Sequence, residues 1–167
     1  MIQVVIAEDQ ELLLEAMGNL LNLEDDIEVV GTAVNGEEAI MLVDQLQPDV
    51  CIMDIEMPEK SGLEAAESLQ LTDCKVIILT TFARPGYFQR ALRADVSGYL
   101  LKDNPSEELA FSIRSIMDGK KIYSEELMDE DMSEADSLSQ TSSESINKGR
   151  VKNYLSSIMD KIKLPTG

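Results

Sequence analysis

Short aliphatic runs and longer apolar stripes alternate along the first 124 residues of the chain. The runs Gln3–Ala7, Glu28–Ala33, Val50–Met53, Val76–Thr80 and Gly98–Leu101 are rich in Val, Ile and Leu. Their length and lack of polar alternation predict strands buried on both faces. Between them, apolar residues recur at helical spacing. The first stripe is Leu12, Leu13, Ala16, Met17, Leu20 and Leu21, the second Ala39, Ile40 and Val43, and the third Leu63, Ala66 and Leu69. Pro105 opens a further stripe of Leu109, Ile113 and Ile116, and Asp118-Gly119 supplies its stop. The pattern is that of five β-α units. Such alternation predicts an α/β fold in which a doubly wound parallel sheet is covered by helices on both sides, with right-handed connections.

The pattern changes after residue 124. Residues 125–144 hold eight acids and no base, and are rich in serine (Ser133, Ser137, Ser139, Ser142, Ser143), which predicts a solvated linker. In residues 145–167 Val151, Tyr154, Leu155, Ile158, Met159 and Ile162 return to helical spacing among Lys148, Arg150, Lys152, Lys161 and Lys163. One basic amphipathic helix is expected there.

Composition narrows the class. Hydrophobic residues make up 44% of the chain, aromatics only 4%, and tryptophan is absent, so the core is expected to be aliphatic. No apolar stretch is long enough to span a bilayer and the N-terminus lacks a secretory pattern, so a cytoplasmic protein with no membrane insertion is expected. Only Cys51 and Cys74 occur, which supports neither a disulfide framework nor a cysteine zinc site. The net charge is -18, and only residues 145–167, with five bases against one acid, favour a polyanion.

The chemistry gathers where the strands end. In open parallel sheets ligands bind beyond the carboxyl ends of the strands. Here those ends carry Glu8 and Asp9, Asp54, Thr80 and Lys102. Taken singly, each has a bland reading: a helix cap or loop acid, a strand-end hydroxyl, a surface lysine. Taken together on four strand ends they form a site. Three converging carboxylates repel one another, and a hard, oxygen-preferring divalent cation relieves them. Magnesium suits Glu8, Asp9 and Asp54, with the backbone carbonyl of Glu56 as a further ligand. With the charge masked, the Asp54 carboxylate is placed to attack a phosphoryl group and form an aspartyl phosphate. Lys102 would neutralise one phosphoryl oxygen and Thr80 would donate to another.

These residues carry a resemblance. Glu8-Asp9, Asp54 with Met57-Pro58, Thr80, Tyr99 and Lys102 resemble the receiver domain of bacterial two-component response regulators, over residues 1–124. The resemblance implies a flavodoxin-like, five-stranded sheet of order 2-1-3-4-5, bound magnesium, and phosphorylation of Asp54 by a sensor histidine kinase. It also implies a switch in which the Thr80 hydroxyl moves toward the phosphoryl group and the Tyr99 ring turns inward. Pro58 to Gly62 and Thr80 to Ala91 look most like regulators with a LuxR-type output, and among them the desaturase (membrane-fluidity) subgroup. That implies a membrane-bound thermosensor kinase as partner and a phosphorylation-dependent homodimer formed through the first and fifth helices. The chain would then be a signalling protein in transcription control rather than an enzyme, with only self-catalysed phosphoryl transfer and hydrolysis.

Residues 145–167 resemble part of a LuxR-type helix-turn-helix, its recognition helix, on which Lys148, Arg150, Lys152 and Asn153 would contact DNA. A recognition helix needs a preceding helix to hold it in the major groove. Here only the Ser-rich linker precedes it, so the output segment is incomplete and a receiver acting through protein contacts alone is the alternative. Two other classes are weaker. A phosphatase of the haloacid dehalogenase type wants an Asp two residues after the nucleophile, where this chain has Glu56. A nucleotide or flavin binder wants a glycine-rich loop after the first strand, and none is present.

Overall fold

The computed structural model describes residues 1–81, 84–102 and 106–124, apart from the side chains of residues 106 and 107. The linker, the basic C-terminal helix and the four DNA-contact residues expected on it lie outside the described residues. Eleven elements alternate: β1 (Ile2–Ala7), α1 (Glu11–Asn22), β2 (Ile27–Ala33), α2 (Gly36–Leu46), β3 (Val50–Met53), α3 (Gly62–Leu69), β4 (Lys75–Thr80), α4 (Tyr87–Arg93), β5 (Gly98–Leu101), α5 (Ser106–Met117) and β6 (Ile122–Tyr123). The strands form one sheet, ordered β2-β1-β3-β4-β5-β6, and every pairing is parallel. The expected order of the first five strands is the observed one.

Two expectations need correction. A sixth strand, β6, pairs with β5, the Ile122 amide donating to the Ser97 carbonyl and the Ser124 amide to that of Tyr99. Two residues are too few to leave a periodic signature, so only the open edge of β5 defines this strand. β2, in turn, is not buried on both faces. It closes the opposite edge, and between Ile27 and Ala33 its residues are exposed or half-buried.

Side-chain alternation along the strands builds two cores. Val4, Ile6, Val50, Ile52, Ile77, Leu79 and Leu100 face α1 and α5. Val5, Ala7, Cys51, Met53, Val76, Ile78, Tyr99 and Leu101 face α2, α3 and α4. Burial pushes the Cys51 thiol up and the Cys74 thiol up to about 12, so both stay protonated at neutral pH. Among the described residues no helix is long and apolar enough to cross a membrane.

Neither Asp9 nor Asp54 caps a helix. α1 starts from Gln10, and α3 starts from Ser61, whose side chain and that of Glu64 form a reciprocal capping box. That box holds the loop after β3 in place. So do two close approaches: a Cβ on Gly62 would fall 2.0 Å from the Asp54 carbonyl oxygen, and one on Gly36 would fall 2.4 Å from that of Lys60. Only glycine fits at either position.

Candidate functional site

β1, β3, β4 and β5 end side by side, and the next residues gather at the carboxyl edge of the sheet. Backbone bonds fix their heights. The Glu8 amide donates to Ala33, the Asp54 amide to Ala7 and the Lys102 amide to Thr80. Glu8, Asp54, Thr80 and Lys102 are all buried, whereas Asp9 is exposed.

Carboxylate oxygens of Glu8, Asp9 and Asp54 lie within 4.8 Å of one another. Lys102 Nζ stands between two of them, 2.5 Å from Glu8 Oε1 and 2.9 Å from Asp54 Oδ2. The other Asp54 oxygen, Oδ1, accepts from the Ile55 amide at 2.8 Å. Glu8 Oε2 accepts from the Gln10 amide at 3.2 Å. Each carboxylate oxygen of Glu8 and Asp54 is thus aimed by a partner, which preorganises these two acids.

Two buried acids share one buried base, and their acidities record it. Burial raises Glu8 to about 7, with Lys102 pulling against that shift and the neighbouring Asp54 adding to it. Burial also raises Asp54, against the opposing pull of Lys102. Burial works against the Lys102 charge, but Asp54 and Glu8 outweigh it and hold its pKa above the ordinary lysine value. The cluster carries more negative charge than its one base neutralises. Its donors are all oxygen and the chain contains no histidine, so the set fits a hard divalent cation.

Thr80 ends β4 beside this cluster and is buried. Tyr99 is fully buried on the α2–α4 side, its ring centroid 5.6 Å from that of Phe88 on α4, and Phe88 in turn meets Tyr123 of β6 edge-on at 5.7 Å. The ring is therefore already inward. Glu56, expected to offer its backbone carbonyl, sends its side chain away from the carboxylate cluster. Its Oε1 accepts from the Tyr87 hydroxyl at 2.9 Å and lies 3.5 Å from Arg84 Nε. Sequence reasoning missed this link between the loops after β3 and β4. Its signal was a Glu just past the central Asp and a Tyr at the start of α4, with nothing along the chain to join them.

Comparisons with known proteins agree with this fold. The response regulator receiver domain family matches residues 4–114. The chain is 56% identical to the transcriptional regulatory protein DesR of Bacillus subtilis, over 98% of this chain and 92% of that protein. It is 47% identical to the uncharacterized transcriptional regulatory protein YvfU of the same organism, over 97% of this chain and 91% of that protein. Among solved structures, a DNA-binding response regulator of the LuxR family from Staphylococcus aureus superposes with a TM-score of 0.67. It is 42% identical and covers 70% of this chain and 98% of its own. The alignment with DesR runs over 182 positions against a chain of 167 residues, so part of it lies opposite gaps in this chain.

Proposed function

This chain belongs to the response regulator receiver family, and from that premise we propose that it takes a phosphoryl group onto Asp54 from a sensor histidine kinase and thereby switches its contacts in transcription control. The observation that carries the reading is the pairing of a buried Asp54 with Lys102 Nζ at 2.9 Å, inside a cluster of three carboxylates. In the transfer, an Asp54 carboxylate oxygen forms a bond to phosphorus as the bond from phosphorus to the donor's imidazole nitrogen breaks. The imidazole keeps the electron pair and takes up a proton from solvent.

Glu8, Asp9, Asp54 and the Glu56 carbonyl are the proposed ligands of magnesium, which when bound supplies positive charge against the phosphoryl oxygens. Lys102 turns from Asp54 to a phosphoryl oxygen while keeping Glu8. The Thr80 hydroxyl donates to another oxygen, and Tyr99, packed on Phe88, reports that movement to α4. The added charge of about −1.5 to −2 is large enough to tip two nearly balanced arrangements.

Residues 1–124 form the receiver, 125–144 the linker and 145–167 an incomplete LuxR-type output. α1 and α5 form the proposed surface of a phosphorylation-dependent homodimer, a role favoured by the exposure of Leu12 and Phe111 on these helices. Lys148, Arg150, Lys152 and Asn153 are the proposed DNA contacts. The gaps in the alignment with DesR favour a second reading, in which the receiver signals through protein contacts alone. A gel shift of the phosphorylated chain that weakens steeply with salt supports the DNA reading, and no salt-sensitive shift supports the second.

The deciding experiment is labelling with acetyl phosphate and magnesium. Wild type is expected to take up one phosphoryl group per chain and Asp54→Asn none. Equal labelling of the Asn variant would overturn the assignment.

A further inference from the structure

The loop that follows Asp54 is held along most of its backbone. Ile55 is buried, its amide donates to Asp54 Oδ1, its carbonyl accepts from the Gly62 amide, and the Lys60 carbonyl accepts from the Gly36 amide. Glu56 sits on this held backbone with an exposed side chain, so its carboxylate can change direction at little cost in burial. One hydrogen bond and one ion pair set the direction it has. The Tyr87 hydroxyl is the shorter contact at 2.9 Å, and Arg84 Nε the longer at 3.5 Å. Both lie on the segment that follows Thr80. Glu56 is not among the carboxylates that converge on the cation site.

We propose that Tyr87 is a positioning residue: by holding the Glu56 carboxylate toward α4 it keeps a fourth negative charge away from Glu8, Asp9 and Asp54, and so sets the affinity of the cation site and its openness to an anionic phosphodonor. The second half of this inference rests on the phosphoacceptor reading above; the first does not. Once released, Glu56 carries its charge, two positions from Asp54, on a residue whose backbone carbonyl is itself a proposed ligand of the cation. A carboxylate there attracts a divalent cation and repels a phosphodonor.

Tyr87→Phe removes the hydroxyl and keeps the ring, which packs partly buried on the α2–α4 core. The test measures magnesium affinity by calorimetry and labelling rate with acetyl phosphate in four proteins: wild type, Tyr87→Phe, Glu56→Gln and the double variant. Tyr87→Phe is expected to bind magnesium roughly fivefold more tightly and to label about threefold more slowly at low ionic strength. In the Glu56→Gln background, where the charge is gone, the same Tyr87→Phe change is expected to move neither quantity. Wild-type magnesium affinity in Tyr87→Phe would overturn the proposal. So would an equal shift in both backgrounds, which would mean that Tyr87 acts through the fold rather than through Glu56. If the affinity cycle behaves as expected while Asp54→Asn still labels, the phosphoacceptor reading fails and the positioning role stands.

Discussion

At each end of the sheet one basic side chain is held between two carboxylates, and the two clusters differ mainly in their distance from water. At the carboxyl edge Lys102 bridges Glu8 and Asp54, all three buried. At the amino edge Arg114 of α5 forks onto both oxygens of Asp26, at 2.7 and 2.8 Å, and reaches Glu24 at 2.8 Å, all three partly exposed. The acids respond in opposite directions. The Arg114 hydrogen bond lowers the Asp26 pKa, whereas burial raises Glu8 to about 7. The amino-edge cluster therefore acts as a solvated tie between α5 and the turn before β2. The carboxyl-edge cluster is an excess of negative charge held largely out of water, which a divalent cation can relieve.

The largest effect is expected from Lys102→Met, which leaves two buried acids without their base. A loss of about 3 kcal/mol in urea unfolding at neutral pH is expected, and saturating magnesium should return part of it. A loss no larger than that from the exposed cluster would erase the distinction drawn between them.

The two clusters also respond to pH in opposite directions. Folded Glu8 holds its proton to about 7, whereas the unfolded residue releases it near 4.5. Stability from this group is thus complete below about 4.5 and is lost as pH rises to about 7, by up to about 3 kcal/mol. Urea midpoints should fall across that window and flatten in Glu8→Gln. Asp26 works in reverse, since its lowered pKa contributes stability above 3.8 that is lost as the solution is acidified through the folded value.

The smallest effect belongs to Arg114→Ala. Its urea midpoint is expected to fall less than that of Lys102→Met, and the difference from wild type should shrink as salt is added, because exposed ion pairs are screened. Magnesium should leave it unchanged.

Much of this was legible along the chain. β1 and β3 to β5 are aliphatic runs, α1 is a continuous stripe, and each run ends on the polar residue that reaches the site. What escaped depended on distance or length. β6 has two residues. Arg114 and Asp26 are 88 positions apart, and Tyr87 and Glu56 are 31. Glu8 and Asp9 are neighbours with the same chemistry, yet one is buried and the other exposed. Periodicity assigns faces within an element but has no rule for the first residues beyond it.

The five aliphatic runs, the stripes that follow most of them and the residue types at the strand ends could be read along the chain, because side-chain period and chain breaks are local properties. Which acid loses its water, which base stands between which acids, and where Glu56 points are settled by packing. Those depend on burial and on partners from other strands and helices, and burial is what turns one lysine and two carboxylates from a surface ion pair into a site under electrostatic tension.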